Sequence, residues 1–265
     1  MSGRCVVTTA VVTGAARGLG AAVTRRLVDR GLHVVAVDAA EHVVAPVDYP
    51  RASPADLMAL QQVSQDVSIA QIDAAQQGEL HDIVERAVGQ HGPLVAVVAA
   101  AATIEGGQPL WETDPEVLER LWHNDVRTVW ATAAVTVPHL LAAAQEGHDA
   151  AFVAIASAAA HRGLWHLSAY CTVKHAVLGL VRGLAADLKG TGVTAVAVSP
   201  GSMDTRMLAE TARIYGLPDT SPLAEAQTTG AALTPEEVAA LVETACFSGP
   251  ALHGSVLHAD GGFTL

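Results

Sequence analysis

The sequence predicts an α/β fold: one domain built on a doubly wound parallel sheet. Three observations carry that prediction. Short β-branched runs without polar alternation alternate with longer helical patterns over all 265 residues. Strands buried on both faces read this way, and alternating β and α segments place them parallel, joined by right-handed crossovers. Apolar residues make up 51% of the chain and aromatics only 4%, so Ala, Val and Leu must fill a large core. Finally, no internal repeat and no Gly- or Ser-rich linker interrupts the chain, and undivided α/β domains of this length are common, so residues 1–265 read as one domain.

In order, Val6–Val12 is the first strand, and Leu19–Arg30 has the length and periodicity of a helix. Val34–Val37 is the second strand, ending at Asp38. A long excursion follows, approximately residues 42–62, in which Ser53–Pro54 has the form of a helix start. Glu79–Val88 is a helix, Leu94–Ala100 a strand, and Pro115–Ala144 one long helix. Ala151–Ala156 and Val193–Val198 are strands on either side of the helix Ala169–Leu188. Thr234–Pro235–Glu236–Glu237 opens the helix Pro235–Cys246 with a capping Thr, Pro in the first turn and acids at the positive dipole end. Ser255–His258 closes the pattern as a strand running into Asp260–Gly261–Gly262.

Two constellations carry chemistry. Thr13–Gly14–Ala15–Ala16–Arg17–Gly18–Leu19–Gly20 lies between the first strand and the first helix, where small residues let the backbone and the helix N–H groups approach a pyrophosphate. A glycine loop alone would mark no more than a tight turn, but Asp38 ends the next strand, where a carboxylate accepts both hydroxyls of an adenosine ribose and repels a 2′-phosphate. That favours NAD over NADP. Arg17 counts mildly the other way, since it could pair with a phosphate, bridge to Asp38 or lie in solvent. The second constellation is Tyr170 and Lys174, one helical turn apart, with Ser157 at the end of the preceding strand and so on the ligand crevice. Lys174 near the phenol is expected to lower its pKa and make Tyr170 a proton donor or base.

These residues resemble the short-chain dehydrogenase/reductase family over essentially the full chain. The resemblance implies a Rossmann-type sheet. It also implies a cofactor loop at Gly14, Gly18 and Gly20, and a catalytic trio of Ser157, Tyr170 and Lys174. Asp66–Val67 matches the family's adenine-contacting pair after the third strand, and Pro200–Gly201 with Met203 and Thr205 matches the segment that holds the nicotinamide amide. Two departures stand out. Ala99–Ala100–Ala101–Ala102 replaces the usual Asn-Asn-Ala-Gly, so only backbone contacts, at Ala100, carry over. The family's helical Asn, which anchors a water in its proton relay, falls on Asp125, with Asn124 one residue earlier. Neighbours on an α-helix point about 100° apart, so one of the two faces the site, and Asp125 is the choice.

The excursion around Val47–Leu57, together with Ile104–Gly107 and Pro109–Thr113, looks like the mycofactocin-associated, carveol dehydrogenase-like subfamily. That resemblance implies NAD held in place and reoxidised there by mycofactocin, a peptide-derived redox carrier. The excursion could be a plain surface insertion, but its place just after Asp38 would also let it fold over the adenosine half. Trp165, Met207, Ile104, Met203, Leu208, Ile214 and Tyr215 are the substrate-pocket candidates, with Ser157 and Tyr170 on the reacting oxygen. They are mostly apolar and suit a hydrophobic secondary alcohol or its ketone. Met207, Leu208 and Ile214 could equally fill the buried stripe of a helix. Residues 203–230 have the mixed composition of a mobile lid. The alternative from another class is a catalytically silent NAD-binding sensor or scaffold. The family also implies a homotetramer through the two long helices.

Fifteen Lys and Arg against 27 Asp and Glu give a net charge of −12, which disfavours nucleic acid. No apolar run reaches the roughly 18 residues of a membrane span, and Met1–Ser2–Gly3 leads into a strand rather than a signal segment. Cys5, Cys171 and Cys246 are scattered, as reduced thiols in a cytoplasm would be. None of the twelve histidines stands in an HExxH or Cys/His ligand pattern, so no metal site is expected.

Overall fold

Buried strands without alternation need cover on both faces, and the computed structural model shows how they obtain it. It describes residues 8–263 apart from 41–44, 46 and 48. Seven parallel strands stand in the order β3-β2-β1-β4-β5-β6-β7: β1 (Thr9–Thr13), β2 (His33–Asp38), β3 (Val67–Gln71), β4 (Leu94–Ala99), β5 (Ala150–Ile155), β6 (Val193–Pro200) and β7 (Val256–Ala259). Val6, Val7, Cys5 and Asp48 lie outside the described residues. One face, including Ala10 and Val12, packs on α1 (Gly18–Asp29) and α9 (Pro235–Phe247). The other, including Val11 and the fully buried Phe152, packs on α3 (Gln77–His91), α5 (Thr128–Gln145) and α6 (Ser168–Asp187). Side chains alternate in direction along a strand, so adjacent valines enter different layers and both are apolar.

Local signals hold where capping chemistry sets them. Thr234 accepts from Glu237 N while the Glu237 carboxylate accepts from Thr234 N at 2.7 Å. Ser53 and Asp56 form the same reciprocal box at the start of α2 (Pro54–Val63), inside the excursion. The segment expected as a lid contains α7 (Arg206–Ile214) and α8 (Ser221–Glu225).

Two readings need correction. The helix expected over 115–144 is not uniform: α4 (Pro115–Leu121) passes through a π-helical stretch, Trp122–Arg127, before α5 begins. The i→i+5 pattern lets both Asn124 and Asp125 be buried, where a regular α-turn would favour one of them. In addition, Asp66–Val67 does not follow the third strand. It begins β3, with Asp66 O accepting from Val34 N, and so lies at the amino end of the sheet. The residues that leave the carboxyl end of β3 are Ile72, Asp73 and Ala74. Among the described residues no helix is long and apolar enough to cross a membrane.

Candidate active site

The carboxyl ends of the strands open onto a cavity of about 690 Å³, at the place where the chain order reverses between β1 and β4. Gly14, Arg17, Gly18, Leu19, Gly20, Asp38, Ala100, Pro200, Gly201, Met203 and Thr205 line it, and so do Ser157, Tyr170, Lys174 and Met207. The glycines are there for contact. Gly14 has φ +65°, and a Cβ on it would sit 2.7 Å from the Ala101 backbone, while a Cβ on Gly20 would collide with Gly14 O. The first turn of α1 has no acidic residue and no side-chain cap, which leaves its amides open to an anion. Thr13 braces the chain leaving β4: its Oγ1 accepts from Ala100 N at 3.2 Å and Ala101 N at 3.4 Å.

Asp38 accepts from Ala16 N at 3.0 Å and Ala40 N at 2.9 Å, which holds its carboxylate at the cavity edge. Arg17 does not bridge to it. Its Nη2 donates to Pro50 O at 2.6 Å, while its Nη1 is buried without a hydrogen-bond partner, as is Nη1 of Arg51 from the excursion. Two cavity-lining guanidinium groups with unused donors, beside open helix amides, fit a dinucleotide pyrophosphate. Burial and the neighbouring Arg206 hold the Arg17 pKa below its ordinary value.

At the other end, Tyr170 lies on α6 with its hydroxyl 4.0 Å from Met207 Sδ and directed at Ser157. Ser157 lies two residues past the end of β5, and its Oγ accepts from Ala159 N. Lys174 Nζ stands 5.6 Å from the Tyr170 ring centre and 3.0 Å from Asp125 Oδ1. Asp125 is wholly buried, and its other oxygen accepts from Thr103 N and Oγ1 at 3.1 and 3.2 Å. Asp125 therefore does not line the cavity; it pairs with Lys174, which does. Asn124 reaches the cavity instead, donating to Ala45 O at 3.0 Å and Thr103 Oγ1 at 3.2 Å.

The expected lowering of the Tyr170 pKa is only one of the influences on it. Burial pushes the phenol up, Lys174 opposes that, Asp125 adds to it, and the net direction is upward. Burial likewise raises Asp125 against the pull of Lys174. For Lys174, burial disfavours the ammonium, but Asp125 and Tyr170 outweigh it and the pKa is raised.

A side pocket of about 300 Å³ adjoins Ser157 and Tyr170, lined by Ile104, Leu164, Leu167, Met207, Leu208 and Tyr215 among others. Among the described residues no Lys, Arg, Asp or Glu lines it. Trp165 is not part of it: it is 66% exposed, stacked on His166 and tilted against Tyr215. The turn carrying it has His166 at φ +55° and directs Leu164 and Leu167 inward, leaving Trp165 outside. Nor do Asp66 and Val67 line the cavity. Asp73 and Ala74 do, with Asp73 2.7 Å from His123 Nε2. The rule that placed Ser157 at a strand's carboxyl end would have placed Asp73 too, had the β3 boundaries been read from Val67–Gln71.

Sequence reasoning also missed how far the excursion reaches. Tyr49 lines the cavity with its hydroxyl accepting from Ile104 N at 3.1 Å, and it packs in the apolar cluster around Tyr170. Together with Arg17–Pro50 and Asn124–Ala45, the excursion is fastened across the cavity at three points. No local signal in residues 45–52 announces these partners.

Comparison with known proteins agrees with this geometry. The short chain dehydrogenase family model matches residues 8–215. An uncharacterized NAD-dependent oxidoreductase of Mycobacterium tuberculosis is 31% identical, over 96% of this chain and 94% of its own. Cis-4-hydroxycyclohexanecarboxylate dehydrogenase of Sinomonas cyclohexanicum is also 31% identical, over 96% of each chain. Among solved structures, carveol dehydrogenase from Mycobacterium avium in complex with NAD superposes with a TM-score of 0.88 at 25% identity, covering 99% of both chains. A glycine loop at the head of α1, a seryl–tyrosyl–lysyl cluster at the sheet's carboxyl edge and a family match over most of the chain converge on one conclusion: the protein belongs to the short-chain dehydrogenase family.

Proposed function

We propose that this enzyme interconverts a hydrophobic secondary alcohol and its ketone using NAD, and that its NAD stays bound between turnovers and is reoxidised in place by mycofactocin. The observation that carries the second part is the excursion fastened across the cavity at Ala45, Tyr49 and Pro50. The first part is supported by the Asp38 carboxylate, which can accept ribose hydroxyls and repels a 2′-phosphate, and by a side pocket without a charged side chain. The unused donors of Arg17 and Arg51 then meet the pyrophosphate.

NAD, when bound, accepts or supplies the hydride. The chain's own part is proton transfer and positioning. Ser157 holds the substrate oxygen, Tyr170 Oη removes the proton from an alcohol or returns it to a ketone, and Lys174 supplies the positive charge that favours the phenolate. Asp125 is a positioning residue, anchoring Lys174 by a buried ion pair. Residues 203–230 act as a lid whose α7 and α8 carry Met207, Leu208 and Leu223 over the side pocket. The exposed Trp122 and Trp130, on the helical stretch from α4 to α5, support a homotetramer formed through α5 and α6. The buried free thiols Cys171 and Cys246 suit a cytoplasmic enzyme.

Asp125 gives a pH test. Alcohol oxidation needs the Tyr170 phenol deprotonated, so activity rises as pH passes its pKa. Asp125 holds the buried Lys174 as an ammonium, and Lys174 lowers the Tyr170 pKa more strongly than Asp125 raises it, so Asp125→Asn moves the rising limb of kcat/KM against pH to higher pH. A limb that stays in place or moves down would show that Asp125 does not act through Lys174.

The proposed function is tested on the purified protein by extensive dialysis followed by the spectrum and mass of the retained nucleotide. One NAD per chain should remain. The protein should then reduce an artificial electron acceptor when given a hydrophobic secondary alcohol, yet turn over poorly with added NAD alone. Free release of NAD with ordinary cycling on external NAD would leave a conventional dehydrogenase with a long loop. Retained NAD with no turnover on any alcohol or acceptor would instead favour the silent sensor.

A further inference from the structure

We propose that His81, Glu85 and His139 form a binding site for one divalent cation of the zinc class, which staples α3 to α5. His81 and Glu85 are four residues apart on α3 and so share a face one turn apart. His139 comes from α5, which packs alongside α3. Glu85 Oε1 lies 3.6 Å from His139 Nε2 and 4.0 Å from His81 Nε2, and the three donor atoms all lie within 4.8 Å of one another. The sequence holds no contiguous ligand motif because the third donor comes from a different helix.

The donor set decides the metal. Two imidazoles and one carboxylate suit zinc, cobalt or nickel and leave positions for water. They are a poor match for calcium or magnesium, which take six or more oxygens. Bonds of about 2.0–2.1 Å to a tetrahedral ion put neighbouring donors about 3.3 Å apart. The His139–Glu85 pair is therefore almost at coordination distance, and the His81–Glu85 pair needs less than an ångström of closure. His139 is the fixed partner, with its side chain 16% exposed, while His81 and Glu85, each 55% exposed, are free to turn towards it.

The expected consequence is stability rather than chemistry. α3 begins just after the cavity residues Asp73 and Ala74, and α5 continues the π-helical stretch that carries Asn124 and Asp125. An ion joining the two helices binds the folded state and not the unfolded chain, so it raises the melting temperature by mass action.

The test uses the untagged full chain, stripped with a chelator and then titrated calorimetrically with Zn²⁺ and with Ni²⁺ alone. Visible absorption of added Co²⁺ reports the coordination. One ion per chain should bind with a micromolar dissociation constant and raise the melting temperature. His139→Ala and Glu85→Ala should each weaken binding at least about tenfold, since loss of even an outer-shell partner of a metal ligand costs about 10–100-fold. Both should cancel the thermal shift while alcohol turnover without metal stays at the wild-type rate. No binding tighter than millimolar overturns the proposal. So does wild-type affinity in His81→Ala/His139→Ala, which would put the ion elsewhere, or tight binding without a thermal shift, which would remove the staple.

Discussion

Tyr170→Phe lowers kcat/KM for alcohol oxidation by about 10²–10⁴-fold, the range expected when a general acid–base group is lost. The substitution isolates the hydroxyl. The Tyr170 ring is buried in the apolar cluster with Ile104, Leu121 and Leu167, and phenylalanine keeps those contacts. The hydroxyl donates weakly to Met207 Sδ at 4.0 Å and faces Ser157, whose Oγ keeps its bond from Ala159 N at 3.1 Å, so phenylalanine leaves neither neighbour stranded. Cofactor retention should not change, because the glycine loop, Asp38 and the excursion lie on other elements. The variant should therefore dialyse with its nucleotide in place and fail to turn over. Activity within a factor of three of wild type would mean that Tyr170 does not exchange the proton.

Replacing the excursion between Ala40 and Ser53 by a short Gly-Ser turn should speed NAD release by about 10³-fold, equivalent to roughly 4 kcal/mol of lost closure if association is unaffected. The replacement removes three fastenings at once: Asn124 to Ala45, Ile104 to Tyr49, and Arg17 to Pro50. Ser53 is kept because it caps α2. Tyr49→Phe is the milder version. It leaves Ile104 N without its acceptor beside a largely buried ring, a loss of about 1–3 kcal/mol, or roughly ten- to hundredfold in release. Stopped-flow displacement of the nucleotide measures both. Equal release rates in all three proteins would show that the excursion is not what retains NAD, and the mycofactocin reading would lose its main support.

The parts of the site legible in the sequence are those set by short-range geometry. Tyr170 and Lys174 share a helix face because of the helical repeat alone. The glycine loop and Asp38 could be placed because a parallel strand's carboxyl end opens on the crevice whatever surrounds it. Asp66 was misplaced because it rested on the family resemblance alone: with the limits of β3 unread, the match fell at the wrong end of the strand. Trp165 looked like a pocket residue by proximity to Tyr170 in sequence, but it lies exposed with its ring stacked on His166.

By itself, then, the sequence determined the alternation of strands and helices, the two chemical constellations at the sheet's carboxyl edge and the family they resemble. These follow from backbone periodicity, strand burial and capping, which act over a few residues. Tertiary structure alone decided which distant groups meet. It brought the Asp125 carboxylate to Lys174 and turned Asn124 into the cavity through a π-helical stretch. It carried Tyr49 from the excursion to Ile104, and it set His139 beside Glu85. Such contacts depend on how whole elements pack and on which buried polar groups find partners. Neither is encoded at the spacing of a local motif.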